Sequence, residues 1–339
     1  MKKAVAVLSV FLSVILLSAC LPNLNNTTDT ESEVTSLTET TVPQSTTAAP
    51  TDAVTTAATT AAATTEPSTA KTEPGTKNEY KIITGAPGGN TFTGFAPLPE
   101  RRLNVTDPDN TRGLSTKANG YGFGVGKNGV PPAQSLNNQK IFNKYDALAI
   151  EVNPAGKPLY LTFDCGYENG LTGSILDTLK AKNVPAAFFC TLPYIKQQTA
   201  LVTRMINEGH IVGNHSNTHP VFPQISRTQM AKEIEVTDNY LRTRFGYSAP
   251  YFRFPTGSYS DCALDLVQSV GFKSVFWSLA YRDWETDKQR GAKYAFDTVT
   301  SRLHPGAVIL LHAVSSDNAA ALGDIIDWAR NRGYEFKSL

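Results

Sequence analysis

From Lys157 onward, short apolar runs alternate with longer amphipathic stretches, and this alternation constrains the fold more than any other feature of the chain. The runs are "PLYLTFD", "AAFFCT", "HIVGNH", "PYFRFP", "KSVFWSL", "AVILLH" and "YEFKSL". Helix patterns fall at Gly173–Asn183, Thr199–Gly209, Arg227–Phe245, Asp261–Gly271, Ala292–Leu303 and Asn318–Gly333. Several close on a glycine, as in "NEGH", "SVGF" and "NRGY", where a left-handed residue ends a helix. Seven strands separated by helices predict a parallel sheet. It is either an open doubly wound sheet or a barrel. No GxGxxG follows the first strand, which weakens a dinucleotide-binding reading.

The N-terminal part reads differently. Lys2 and Lys3 precede an apolar stretch, Ala4 to Leu17, which is short for a membrane span. It closes as Leu17-Ser18-Ala19-Cys20, small residues before a cysteine as in the lipobox of bacterial lipoproteins. Residues 1–20 are therefore expected to be a lipoprotein signal, with Cys20 acylated and anchoring the protein on the extracytoplasmic face of a bacterial cell membrane. Residues 21–75 are mostly Thr, Ala, Ser, Glu and Pro without aromatics. Such a segment cannot bury enough apolar surface to offset chain entropy, so it is expected to be a disordered tether with a reach of roughly 40 Å. Residues 76–156 are rich in Gly, Asn and Pro with scattered aromatics, as in "GYGFGVG". They predict an irregular extension packed on the domain formed by residues 157–339.

Lys and Arg total 31 against 30 Asp and Glu, a net charge of +1. That balance gives no electrostatic reason to expect nucleic acid as a partner. Setting Cys20 aside leaves Cys165, Cys190 and Cys262, an odd number that argues against a full disulfide framework.

In parallel α/β sheets, chemistry gathers where strands end. Here the ends carry Asp164-Cys165, "HSNTHP", "RFPTG", "YRDW" and "LLH". His215 and His219 are four apart, a spacing that suits a shared metal and equally two capping or surface histidines. His312 ends an apolar run, the place of a core histidine or of a catalytic one. Arg253 sits among aromatics and needs a partner if buried; Asp283 is the natural one and Asp164 another. Trp284 could line a groove for a sugar ring or simply pack.

In this order, "TFDCG", "HSNTHP", "RFPTG", "RDW" and "LLH" resemble the motifs of the polysaccharide deacetylase family, the NodB-homology esterases and amidases. "GYENG" and "LLHAVSSDNAAAL" resemble one branch more closely, the muramic δ-lactam de-N-acetylases of peptidoglycan. The resemblance covers about Lys157 to Leu339. It implies a distorted (β/α)7 barrel and metal-assisted hydrolysis of an N-acetyl group on peptidoglycan glycan strands, N-acetylmuramic acid first. Other acetylated glycans (N-acetylglucosamine, chitin or xylan) and a non-catalytic glycan-binding role are the alternatives.

Carried onto this chain, the resemblance makes His215 and His219 ligands of one divalent metal, zinc foremost, and Asp164 the general base. His312 becomes the acid for the leaving amine. Arg253, paired with Asp283, tunes Asp164, and a backbone N–H near Thr256 stabilises the oxyanion. Tyr167 and Trp284 become substrate contacts. Most members carry a second Asp where this chain has Cys165. That thiol is open to four readings: third metal ligand, bystander, disulfide partner of Cys190, or nucleophile paired with His312.

Overall fold

The computed structural model describes residues 92–248 and 251–339. These lie within the second of the chain's two units, Lys71–Leu339. The expected signal sequence with Cys20, the expected tether and residues 76–91 lie outside the described residues. Among the described residues, no helix is long and apolar enough to cross a membrane.

Seven parallel strands form one curled sheet. They are β1 (Pro158–Cys165), β2 (Ala187–Cys190), β3 (Ile211–Asn214), β4 (Tyr251–Phe252), β5 (Lys273–Ser274), β6 (Ala307–His312) and β7 (Glu335–Phe336). Their order is β5-β4-β3-β2-β1-β6, and β7 pairs with the first two residues of β1. Helices α2 (Thr172–Lys182), α3 (Leu192–Gln197), α4 (Thr199–Asn207), α5 (Arg227–Phe245), α6 (Asp261–Ser269), α7 (Ala292–Arg302) and α8 (Ser316–Arg330) connect them. β1 and β6 are the apolar centre, buried along nearly their whole length, as a parallel sheet covered on both faces requires.

The run "KSVFWSL" closes the curl. Only its first two residues pair with β4. Val275 then bridges Leu148, and the Ser278 and Leu279 N–H groups donate to Val308 O at 2.9 and 3.2 Å. One segment thus carries the sheet round from β4 to β6, giving the distorted barrel.

Local chemistry sets the helix ends. Ser226 and Gln229 form a capping box at the start of α5, and Gly246, at φ 58°, ends it. Gly213 in β3 is required by close approach: a Cβ there would stand 2.5 Å from the Phe189 ring. That ring lies 4.0 Å beneath the Arg253 guanidinium, so the glycine lets β2 support a site residue.

The stretch before β1 is less irregular than its composition predicts. It contains α1 (Ala133–Phe142), whose sequence "AQSLNNQKIF" has no apolar stripe. Tertiary hydrogen bonds hold it instead. Ser135 Oγ donates to Phe123 O at 2.6 Å, Asn138 Nδ2 donates to Gly122 O at 2.7 Å, and Gln139 Oε1 accepts from Ala149 N at 2.7 Å. Phe142 is fully buried and stacks on Phe276 at 4.4 Å. Phe142→Ala is expected to cost about 3–5 kcal/mol, checked by denaturant unfolding of the purified domain.

Candidate active site

β3 ends at Asn214, and the chain turns through a tight loop carrying both histidines. Two non-glycine residues there adopt left-handed backbone, Ser216 at φ 70° and His219 at φ 59°. Such positions cost of order 1–3 kcal/mol and persist only when the surroundings fix them. Asn214 Oδ1 accepts from Ser216 N at 2.9 Å, and Ser216 Oγ accepts from His219 N at 3.0 Å. Glu233 of α5 accepts from Asn217 N at 3.0 Å and from Thr218 N at 2.6 Å.

The outcome is a convergence of two ring nitrogens. His215 Nδ1 lies 2.9 Å from Arg253 O. A carbonyl can only accept, so Nδ1 carries the proton and Nε2 presents a lone pair. His219 Nε2 stands 3.2 Å from His215 Nε2. Burial pushes the His215 pKa down to about 4 and lowers that of His219, so both rings are neutral near pH 7. Two neutral imidazoles aimed at each other suit a shared cation: two bonds of about 2.0–2.1 Å to one zinc would place their nitrogens roughly 3 Å apart. Asp164 Oδ2 lies 3.7 Å from His215 Nε2. Among the described residues, no set of three or more His, Cys, Asp or Glu side chains is already gathered as a complete metal cage.

Asp164 is held from its other oxygen, where Arg253 Nη1 donates to Oδ1 at 2.8 Å. This corrects the expected pairing of Arg253 with Asp283. Arg253 is fully buried and spends Nε on Val275 O at 3.0 Å and Nη2 on Phe276 O at 3.2 Å. Its remaining reach is across the barrel to β1. Burial, the largest single influence, favours the neutral acid at Asp164, but the charge and hydrogen bond of Arg253 together with the nearby His215 and His312 outweigh it and hold the carboxyl below the usual range.

Asp283 serves His312 instead. Its Oδ1 is 2.6 Å from His312 Nδ1, and its Oδ2 accepts from His312 N at 2.8 Å. Burial works to lower the His312 pKa, yet the bond and charge of Asp283 lift it above the ordinary imidazole value. Nδ1 therefore carries a proton and Nε2 is the working end. The exposed Trp284 ring stands 5.4 Å from the His312 ring, edge-on.

Cys165 lies in the apolar core. It follows Asp164 directly, so its side chain leaves the opposite face of the strand. It is fully buried, faces Cys190 in register, and both thiols are free. Burial first, then Cys190, push its pKa well up, which keeps it a thiol. These surroundings are those of a packing residue, the bystander among the four readings. Thr256, at φ 56°, is exposed in the turn Pro255–Gly257, whose bonds run from Gly257 N and Ser258 N. Its own N–H is outside that pattern. Tyr167 is exposed after β1.

Sequence reasoning missed Glu233. It lies inside a helix, where polar residues are ordinary, and no spacing ties it to a strand end.

The fold and site define a class: a curled parallel barrel whose strand ends bring together a carboxylate, two metal-ready imidazoles and a carboxylate-held third. The polysaccharide deacetylase family matches residues 151–275. Peptidoglycan-N-acetylmuramic acid deacetylase PdaA of Bacillus subtilis is 40% identical over 65% of this chain and 83% of that protein. Its solved structure, a family 4 carbohydrate esterase, covers 66% of this chain and 96% of that one with a TM-score of 0.63. A family 4 carbohydrate esterase from Bacillus anthracis is 38% identical, with a TM-score of 0.55 over 66% of this chain and 95% of that one. Peptidoglycan-N-acetylglucosamine deacetylase PgdA of Listeria monocytogenes is 30% identical over 61% of this chain and 43% of that protein. The chain belongs to the polysaccharide deacetylase family, and it is a carbohydrate deacetylase, a hydrolase.

Proposed function

We propose that the protein removes the acetyl group from N-acetylmuramic acid residues of peptidoglycan, on the route to muramic δ-lactam. The observation that carries the chemistry is the 3.2 Å approach of His215 Nε2 and His219 Nε2 beside the Asp164 carboxylate. The choice of sugar is supported by the similarity to PdaA, of which this chain covers 83%, against 43% of PgdA.

His215 and His219 would hold a divalent ion, with zinc favoured by two imidazoles and a nearby carboxylate. When bound, it supplies Lewis acidity at the acetyl carbonyl and lowers the pKa of a water. Asp164, kept ionised by Arg253, accepts the proton of the attacking water. His312 donates a proton from Nε2 to the departing nitrogen, and Asp283 stabilises its cationic form. The Thr256 N–H is free to donate to the carbonyl oxygen as it gains charge. Trp284 and Tyr167, both exposed at the mouth, offer faces to the sugar.

The test is incubation of residues 76–339 with purified peptidoglycan, intact and stripped of stem peptides, followed by mass spectrometry of the digested muropeptides. Loss of 42 Da (one acetyl, about the mass of ketene) from muramic residues is the expected result. Loss from glucosamine alone would move the assignment to the other sugar, and unchanged sugars with every divalent metal would sink it.

Glu233 gives a separate check on metal binding. Removing its grip on the histidine loop with Glu233→Ala is expected to weaken zinc roughly 10- to 100-fold, as other supports of ligand geometry do. Competition with a chromophoric chelator reads this directly, and an unchanged affinity would show that the loop holds itself.

The protein is anchored by acyl chains on Cys20, a reading supported by Leu17-Ser18-Ala19-Cys20 after a charged and apolar start. Cys20→Ala in the producing cell is expected to move the protein from the membrane fraction to the medium. Unchanged membrane retention would refute the anchor.

A further inference from the structure

We infer that Asn318, with Tyr281 behind it, is a positioning residue for His312, locking the Asp283 carboxylate so that one oxygen faces Nδ1. The inference rests on the reading of His312 as the proton donor.

Asp283 has two oxygens and three donors. Asn318 Nδ2 donates to Oδ2 at 2.6 Å, and His312 N donates to the same oxygen at 2.8 Å. Both fix Oδ2, which leaves Oδ1 turned toward His312 Nδ1 at 2.6 Å. Without Asn318, a single backbone donor holds Oδ2 and the carboxylate is freer to rotate about its last bond.

The Asn318 amide is itself oriented. Tyr281 OH donates to Asn318 Oδ1 at 2.5 Å. Burial raises the Tyr281 pKa further above its ordinary value, so the phenol keeps its proton and stays a donor. A flipped Asn318 would set its oxygen against the Asp283 carboxylate, oxygen to oxygen. The order Tyr281, Asn318, Asp283, His312 is therefore a one-way chain of donors into acceptors up to the carboxylate. All of its first three members are buried, Asn318 to 1% and Asp283 to 2% exposure, where a misaligned or unpaired polar group costs most.

Helix capping does not explain Asn318. The cap of α8 is Ser315, whose Oγ accepts from Asn318 N at 3.2 Å. Asp317 holds the Arg290 and Gly291 N–H groups at 2.6 and 2.9 Å. Among the described residues, the Asn318 side chain bonds only to Tyr281, Asp283 and, at 3.4 Å, His312 O.

The charged and titratable groups that face His312 are Asp283, Asp164, Arg253 and His219. In Asn318→Leu all four remain, so any change in His312 reports the placement of Asp283. Two readouts apply. In protein labelled at histidine, the His312 Nδ1–H proton resonance should lie far downfield in the wild type, as a short bond to a carboxylate demands. It should move upfield and broaden in Asn318→Leu and, less strongly, in Tyr281→Phe. In acetate release, kcat should fall roughly 10- to 100-fold for Asn318→Leu, with KM little changed and the high-pH limb displaced to lower pH. Tyr281→Phe removes one oxygen and keeps the ring, so it serves if the leucine variant does not fold. A wild-type resonance in the variant that folds overturns the inference. The resonance does not need turnover, so absence of acetate release from every glycan would defeat the proposed function and leave this test standing.

Discussion

Asp164→Asn is expected to lower acetate release from peptidoglycan by roughly 10²–10⁴-fold, the range over which a positioned base contributes. An amide cannot take a proton from water, while its shape keeps the cleft unchanged. The same substitution should also destabilise the fold, because Arg253 is fully buried and Asp164 is its only carboxylate partner among the described residues. Removing one member of a buried ion pair costs about 3–5 kcal/mol. The lower end applies here: Val275 O and Phe276 O still accept from the guanidinium, and Phe189 lies against its face. The two effects separate in a second variant. Asp164→Asn combined with Arg253→Met removes the orphaned charge and should regain much of the melting temperature without regaining rate. Calorimetry and an acetate assay on both variants decide the point. A wild-type rate in Asp164→Asn would remove Asp164 from the mechanism.

The architecture was largely legible in the sequence because its physical cause is periodic. β1, β2, β3 and β6 are mainly apolar runs, and α5 starts and stops where its capping box and glycine indicate. α1 was not legible, since its buried residues are Ser135, Asn138, Gln139 and Phe142 and its support is tertiary. The long run "KSVFWSL" reads as one strand, yet the curl of the sheet divides it between β4 and β6.

Site residues at strand ends were legible for a related reason: an ionisable group after a buried run has few places to go. Partner choice was not. Arg253 and Asp283 are close in motif order, but the barrel places Asp283 past the seam beside β6 and points Arg253 across to β1. Cys165 misled because sequence places it beside Asp164, whereas the pleat sends successive side chains to opposite faces.

Asp283→Asn should move the high-pH limb of acetate release to lower pH and cut the rate at neutral pH by roughly 10²-fold or more. The direction follows from the donors around it. His312 N and Asn318 Nδ2 both point at Oδ2, so an asparagine there keeps its oxygen on that side. Its NH₂ then faces His312 Nδ1, and two donors oppose each other where the wild type has a donor and an anion. Protonated His312 loses its stabilising charge, and burial, which already works to lower its pKa, is no longer outweighed. His312 acts in its protonated form, so rate is lost as pH rises through its pKa. Because Asp283 holds that pKa above the ordinary value, the wild-type limb lies above it and the variant limb below it. Lowering the pH should therefore restore part of the variant's rate, until the pH falls far enough to protonate other groups of the site. A pH profile of kcat for both proteins, with melting curves to confirm folding at each pH, gives the answer. Coincident limbs would mean that Asp283 holds His312 in place without setting its charge, and that the leaving nitrogen takes its proton from another group.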